Sequence, residues 1–134
     1  MRRLIMILLT AALSSCAKTT ITSPSPVVDS GALPREFSNT VVPGGSASRA
    51  FDTTAAGTIT IVLKSTTPGG VAVGLGVGIA RSNGSCALNA AIEAVAGTTA
   101  QISIAADKGA YCAKIYDLGT LQAPLPFTIG LSYP

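Results

Sequence analysis

Residues 71–80 are Val71-Ala72-Val73-Gly74-Leu75-Gly76-Val77-Gly78-Ile79-Ala80, in which bulky apolar residues alternate with glycine or alanine. This period of two is typical of a β-strand, because successive side chains point to opposite faces of a sheet. The bulky face is expected to meet the core, and the other face is almost bare. Repeated glycine weakens a strand, so either another layer or a ligand approaches the bare face, or the glycines let a curling sheet bend. Bending is favoured, because no polar residue marks a ligand site.

Four further segments alternate in the same way. Residues 58–65 place Ile59, Ile61 and Leu63 on one face, and residues 100–104, 111–117 and 127–133 repeat the pattern. Residues 41–42 and 47–51 are expected to form early short strands. Residues 87–96 fit either a helix or a strand, and the strand suits their flanking segments better. Seven or eight such segments predict an all-β fold, a small antiparallel β-sandwich or jelly-roll-like domain.

Glycine and proline mark where these strands end. The 134-residue chain has 14 Gly and 8 Pro, and 48% of its residues are hydrophobic. It is therefore too apolar for a disordered chain and too rich in helix breakers for a helical bundle, and its length suits one small domain. Turns are expected at Asn83-Gly84 and at residues 107–109, and a loop is expected around Pro124 and Pro126.

The N-terminus has the layout of a secretory signal, in which two arginines precede an apolar run too short to span a bilayer. The segment Leu13-Ser14-Ser15-Cys16 resembles the lipobox of bacterial lipoproteins. The resemblance implies that residues 1–15 are removed and that Cys16 carries a diacylglycerol and an acyl chain such as palmitate. An ordinary signal cut after Ala17 is the alternative, because small residues also flank that bond.

The chain has three cysteines, an odd number for an exported protein. Attachment of lipid to Cys16, as the resemblance implies, leaves Cys86 and Cys112 to form a disulfide. No CxxC spacing is present, so a structural bridge is favoured over a redox pair or a zinc site. The alternation of residues 111–117 places Cys112, and with it the disulfide, on the outer side of its strand.

The composition changes after the lipobox. From Ala17 to about Glu36 the chain is rich in Thr, Ser and Pro, which predicts a tether that extends up to about 60 Å from a membrane. β-prone residues in this segment leave open the alternative that it packs on the domain as an edge strand. The predicted organisation is a signal peptide at 1–15, a lipidated cysteine and tether at 16–36, and a β-sandwich domain at 37–134.

Charge and the lack of histidine exclude several functions. The chain has nine basic and six acidic residues, and removing Arg2 and Arg3 with the signal leaves seven basic residues against six acidic ones. No basic cluster remains for a phosphate backbone, so nucleic acid is not an expected partner. Without histidine the chain has no Ser-His-Asp or Cys-His mechanism and no His-containing zinc site. We therefore predict no catalytic residues and no cofactor.

The acidic residues of the processed chain form no close pair in the sequence. They are Asp29, Glu36, Asp52, Glu93, Asp107 and Asp117. Asp52, Asp107 and Asp117 are candidate calcium ligands together with loop carbonyls, because calcium takes several oxygen ligands. The competing interpretation is that Asp107 belongs to a turn and Asp117 ends a strand, which are common structural uses of aspartate.

Short motifs along the domain point to a known type of β-sandwich. They are Gly44-Gly45-Ser46 leading to Phe51, the hexapeptide of residues 56–61, residues 109–117, and Phe127-Thr128-Ile129. Together they resemble the bacterial pre-peptidase C-terminal type of domain, a small sandwich that often accompanies secreted enzymes and sometimes carries calcium. No catalytic domain accompanies the module in this chain, so the resemblance does not extend to an accessory role beside an enzyme in the same polypeptide.

These observations predict a membrane-anchored, non-catalytic envelope lipoprotein whose β-sandwich binds a protein or a glycan. One alternative is a structural or assembling envelope subunit that pairs strands with a neighbour, and a second is a carboxylate-dependent hydrolase. Ala17 lacks the aspartate associated with inner-membrane retention, so the outer membrane is expected in a two-membrane bacterium. Of the six aromatic residues, four are expected to face inward and only Tyr116 is expected to face outward; the inward ones are Phe51, Tyr111, Phe127 and Tyr133.

Overall fold

In a computed structural model, residues 35–134 are described, and they form eight β-strands. The strands are β1 (Arg35–Val41), β2 (Ser46–Thr53), β3 (Gly57–Thr66), β4 (Val73–Ala80), β5 (Cys86–Ala94), β6 (Ile102–Ala106), β7 (Gly109–Tyr116) and β8 (Leu125–Ser132). The all-β prediction is confirmed. The predicted signal peptide, Cys16 and the tether up to residue 34 lie outside the described residues.

The strands form two four-stranded antiparallel sheets that pack as a β-sandwich. The first sheet has the order β1-β8-β3-β6, and the second has the order β2-β7-β4-β5. Every chain connection passes from one sheet to the other except the β4–β5 hairpin. Strands that are distant in sequence therefore lie side by side, and each sheet buries one face against the other.

The core between the sheets is built from the bulky positions of the alternating segments. Ile59, Ile61 and Leu63 of β3 are fully buried, as the alternation predicts. Val73, Leu75 and Val77 of β4 face them from the other sheet with no exposed surface. The four aromatic residues expected to face inward are also buried, and they are Phe51, Tyr111, Phe127 and Tyr133.

The first strand is longer than the sequence indicates. It begins at Arg35, two residues before the predicted start of the domain, and ends at Val41, whereas the alternation predicted only a short strand at 41–42. Phe37 and Val41 are buried on its inner face, but Asn39 between them is exposed. Asn39 interrupts the apolar alternation, which is why the pattern did not extend back to Phe37.

Two predictions about strand ends were wrong. Pro126 lies inside β8 rather than in the loop, and its carbonyl accepts a hydrogen bond from the Thr67 N–H at 3.0 Å. Proline is tolerated there because the missing N–H removes a bond only at the start of the strand. Ile79, expected to face the core, is 42% exposed because it lies next to the end of β4, opposite Ala87 of the outermost strand.

The disulfide prediction is confirmed: Cys86 at the start of β5 is bonded to Cys112 in β7. The bond crosses β4, which lies between these two strands. Cys112 is on the outer face of the second sheet, opposite to the core-facing Tyr111 and Ala113, as the alternation predicted. The ambiguous segment at 87–96 is a strand, in agreement with the favoured interpretation.

The glycines of β4 are explained by close approach rather than by bending. A Cβ on Gly74 would overlap the ring of Tyr116, and a Cβ on Gly76 would lie 2.8 Å from the Leu88 side chain. Both covering side chains belong to neighbouring strands of the same sheet. The bare face of β4 is therefore filled by the sheet's own side chains, and this leaves Tyr116 half-buried instead of fully outward.

Candidate functional site

The two ends of the sandwich differ in what they present. β1 enters at Arg35 beside Leu131, and it leaves at Val41 beside Leu125, at the opposite end. Four loops lie at this second end, residues 42–45, 67–72, 95–101 and 117–124, and we call the surface formed by residues 42–45, 67–72 and 117–124 the distal loop end. β1 begins at the other end, so the chain enters the sandwich opposite to the distal loop end.

Asp117 joins two of these loops. Its Oδ2 accepts a hydrogen bond from the Gly44 N–H at 2.8 Å, and its Oδ1 accepts from the N–H groups of Gly119, Thr120 and Leu121 at 2.9–3.1 Å. The Asp117 N–H also donates to the Gly45 carbonyl at 3.0 Å. One residue at the end of β7 therefore holds both the β1–β2 loop and the β7–β8 loop in place.

The local sequence explains this arrangement. An aspartate followed two residues later by glycine is typical of a turn in which the side chain accepts its own downstream N–H groups. Gly119 has a φ of 91° and Gly44 a φ of 71°, a region that residues with a Cβ rarely adopt. The sequence indicated Asp117 as a strand end or a calcium ligand, but the bond to Gly44, 73 residues away, has no signal in the sequence.

The hydrogen bonds at Asp117 also lower the pKa of its carboxyl. The Gly44 N–H has the largest effect, and the N–H groups of Leu121, Thr120 and Gly119 act in the same direction. Partial desolvation raises the pKa but does not reverse the shift. The carboxylate that joins the loops is therefore ionised at neutral pH, where its acceptor strength is greatest.

Apolar side chains are exposed on the loops that Asp117 joins. Val42 in the first loop is 52% exposed, and Leu118 in the second is 39% exposed. A cleft of about 270 Å³ opens between residues 67–72 and 117–124. Its apolar lining consists of Pro68, Val71, Leu121, Ala123, Pro124 and Leu125. The distal loop end can therefore receive an apolar side chain from a partner.

A second hollow lies on the outer face of the first sheet, and its chemistry is different. It has a volume of about 340 Å³ and is lined largely by hydroxyl groups, from Ser38, Thr40, Ser65, Thr67 and Thr128. The Ser38 and Thr128 hydroxyls are hydrogen-bonded to each other at 2.8 Å. An ion pair between Lys64 and Glu36 lies farther along the same face. This face offers donors and acceptors to a polar ligand.

The structure places the three candidate calcium ligands in different settings. Asp52 is an exposed residue of β2 opposite Ala110, and Asp107 lies in the β6–β7 turn, where its carbonyl accepts from the Thr53 hydroxyl. Asp117 is at the distal loop end. Within residues 35–134, no three acidic or cysteine side chains converge as metal ligands would. Cys16, the predicted lipidation site, lies outside these residues.

Comparison with known proteins gives no family for the chain: no family model matches it, and no curated protein is significantly similar to it. In the described part of the chain, no helix has the length and hydropathy needed to cross a bilayer. The candidate site therefore rests on its own geometry and chemistry.

Proposed function

We propose that this protein is a membrane-anchored, non-catalytic envelope lipoprotein whose β-sandwich binds another envelope protein through the distal loop end. The observation that carries this proposal is the pair of loops joined by Asp117, which present Val42 and Leu118 to solvent. Loops held in one conformation lose little entropy on binding, and exposed apolar side chains gain from burial.

The proposed anchor precedes the sandwich in the chain. The lipobox-like segment ending at Cys16 supports lipid attachment, and residues 17–34 separate that cysteine from the start of β1 at Arg35. Because β1 runs from Arg35 to Val41, the distal loop end lies at the opposite end of the sandwich from the point where the chain enters it. An outer-membrane location fits the alanine that follows Cys16.

The lining of the distal cleft favours a protein over a glycan. Pro68, Val71 and Leu121 offer dispersion contacts but few hydrogen bonds, and sugars need many hydrogen bonds. The hydroxyl-lined hollow around Ser38 and Thr128 supports a second candidate function, glycan binding on the outer face of the first sheet. The two candidates use different surfaces and can be tested separately.

The acidic groups support a non-catalytic role. Asp117 is occupied by backbone N–H groups, and Glu36 is paired with Lys64 on an open surface. A glycosidase needs two carboxyl groups that flank a bound sugar, one of them able to give a proton. A carboxylate held ionised by several N–H donors is a poor proton donor, so Asp117 does not suit that role.

The anchor is tested by growing cells that express the full chain with radiolabelled palmitate. We expect the wild type to incorporate label and to fractionate with membranes, and the Cys16→Ser variant to do neither. Intact mass should show acyl chains and the loss of two hydrogens at the disulfide. Equal labelling of both chains would contradict lipidation at Cys16.

The binding surface is tested by placing a photoreactive amino acid at single positions of the full chain in intact cells. Positions 42 and 118 should cross-link to the same envelope protein, because Val42 and Leu118 lie on loops that Asp117 joins. Thr58, exposed on β3 toward the opposite end, is the matched control and should give no such product. Cross-linking at Thr58 alone, or at none of the three positions, would contradict binding at the distal loop end.

A further inference from the structure

The order of the sheets leaves β5 at the side of the second sheet with only one neighbour. β5 pairs with β4, and within residues 35–134 no strand pairs with its other side. We call this side, with the adjoining side chains of Ile79 and Val95, the β5 edge. An unpaired strand presents a row of free N–H and C=O groups that can accept another strand.

On the same side of the sandwich, backbone groups of the first sheet are covered by another part of the chain. The β5 edge differs from the first sheet in this respect. The chain that leaves β5 covers β3 beyond the end of β6: the Gly97 N–H donates to the Leu63 carbonyl, and the Gln101 N–H donates to the Ile61 carbonyl, both at 2.9 Å. The Gln101 side chain accepts from the Leu63 N–H at 2.9 Å and so replaces a strand partner. No comparable cover lies on β5 within the described residues.

The β5 edge also concentrates exposed apolar surface. Six large hydrophobic side chains are exposed in the described residues, and four of them belong to this edge. They are between 37% and 45% exposed, and they are Ile79, Leu88, Ile92 and Val95. They flank the edge on both faces of the sheet, because Ile92 lies opposite the core-facing Leu75 whereas Leu88 covers Gly76 on the outer face. A strand added at this edge would therefore meet apolar side chains on both of its faces.

The other edge strands carry the usual protection. β1 contains Arg35 and Glu36, and β2 contains Arg49 and Asp52, while β6 has only five residues. β5 has nine residues, no lysine or proline, and Glu93 as its one charged residue. Its one irregularity is a register shift at Asn89, which limits the strength of pairing and makes association depend on concentration.

We propose that the β5 edge pairs antiparallel with the β5 edge of a second copy of this chain. The charges favour this occupant: Glu93 lies toward one end of β5, and Arg81 lies just before the other end. Within the described residues neither side chain has an ion-pair partner. When the two β5 strands align antiparallel over their full length, a two-fold axis relates the two copies. Glu93 of each copy then lies at the end of the other copy's β5 where Arg81 is found.

Self-pairing of this kind is complementary in two ways. It covers Leu88 and Ile92 of both copies, and it keeps the two Glu93 carboxylates at opposite ends of the interface. An isologous contact closes after two copies, so the product is a dimer and not a filament. Attachment of both copies to one membrane raises their effective concentration. This favours association even through an interface as small as one pair of strands. This inference is independent of the proposed binding at the distal loop end.

The test is co-purification of two differently tagged full-length chains expressed in the same cells and extracted in detergent. We expect the wild-type copies to capture each other. Arg81→Glu in both copies, or Glu93→Arg in both copies, should lower capture about fivefold, because each replaces two exposed ion pairs by like charges. Arg81→Glu in one copy with Glu93→Arg in the other should restore wild-type capture, because both contacts again join opposite charges.

Two further variants distinguish loss of pairing at the β5 edge from loss of the fold and from a change of net charge alone. Ile92→Lys places a charge within the edge, two residues from the end of β5, and should reduce capture at least tenfold. Lys108→Glu, in the β6–β7 turn away from the edge, makes the same charge change as Arg81→Glu and should leave capture within about twofold. All four positions are exposed, and an unchanged melting temperature excludes unfolding as the cause.

Three results would overturn the proposal. The first is failure of wild-type copies to capture each other, which would assign the edge to another occupant such as residues 17–34. The second is loss of capture in Ile92→Lys without any effect of the charge variants. The third is a mixed Arg81→Glu and Glu93→Arg pair that associates no better than either variant with itself.

Discussion

Gly78 of β4 and Ala87 of β5 are so close that a Cβ on Gly78 would overlap the Ala87 carbonyl group. The two strands approach closely where their register shifts. Val77 is opposite Ala90 and Gly78 is opposite Leu88, so Asn89 of β5 has no partner on β4. The disulfide holds this region, because Cys86 precedes Ala87 and is bonded to Cys112, the residue opposite Gly78 on the other side of β4.

We expect Gly78→Ala to destabilise the protein by about 3 kcal/mol, at the upper end of the usual cost of overpacking. The methyl group meets backbone that the disulfide restrains, so neither strand can move away easily. Gly69→Ala is the matched control, since a Cβ there meets nothing within 4 Å and its φ is not positive. Urea unfolding of both variants measures the difference, and equal midpoints would contradict the close approach at Gly78.

The disulfide itself gives a second prediction. Replacing both Cys86 and Cys112 by alanine should lower the free energy of unfolding by about 3.5 kcal/mol, the entropic value for a loop of this length. A reductant should lower the unfolding midpoint of the wild type and leave that of the double variant unchanged. A wild-type midpoint that does not respond to reduction under unfolding conditions would show that the pair contributes little to stability.

The general fold could be predicted from the sequence because period-two alternation is a local property. Ile59, Ile61 and Leu63 face the core as predicted, and Cys112 faces outward. The partner of each strand could not be predicted, since β1 pairs with β8 and six of the seven connections change sheet. Arg35 and Glu36 lie in β1 although the composition of residues 17–36 predicted a tether. The alternation gave no contrary signal, because it is interrupted at Asn39, which is exposed although it shares a face with Phe37.

The candidate site was harder to predict than the fold. Tyr116 and Asp117 are adjacent in the sequence, yet one covers Gly74 on the next strand and the other joins two loops. Both roles depend on residues more than 40 positions away. The sequence therefore indicated the chemistry of each side chain but not its partner.

Asp117 predicts how stability depends on pH. Its pKa is lower in the folded protein than the ordinary 3.8, so its contribution is fully present at neutral pH and is lost as the pH falls below about 4 toward the lowered value. Asp117→Asn should lower the melting temperature at pH 7, and the gap between wild type and variant should narrow as the pH approaches 2. Asp52→Asn, which replaces an exposed aspartate of β2, is the control. Its melting temperature should stay close to that of the wild type at every pH.

The same variant tests whether the loops at the distal end depend on Asp117. In Asp117→Asn one carboxylate oxygen becomes an NH2 group. The remaining oxygen can keep the three N–H groups of residues 119–121, which leaves the Gly44 N–H facing a donor, so amide hydrogen exchange at Gly44 should become faster at pH 7. Exchange in the core, for example at Ile61, should change much less. Unchanged exchange at Gly44 would mean that the β1–β2 loop is held by other contacts.

Two buried threonines predict opposite effects of the same substitution. The Thr53 hydroxyl donates to the Asp107 carbonyl at 2.7 Å and accepts from the Gly109 N–H at 2.9 Å. The Thr66 hydroxyl is buried and has no hydrogen-bond partner within the described residues. Valine has nearly the shape of threonine but no hydroxyl, so it removes only these polar interactions.

We therefore expect Thr66→Val to stabilise the protein by about 1 kcal/mol, because a buried hydroxyl without a partner costs free energy. Thr53→Val should destabilise it by about 2 kcal/mol, since the substitution leaves the Asp107 carbonyl and the Gly109 N–H without their partner. Urea unfolding at pH 7 compares both variants with the wild type. Destabilisation by Thr66→Val would show that its hydroxyl does have a partner, such as a bound water or the chain before residue 35, and would reverse the assignment made for this position.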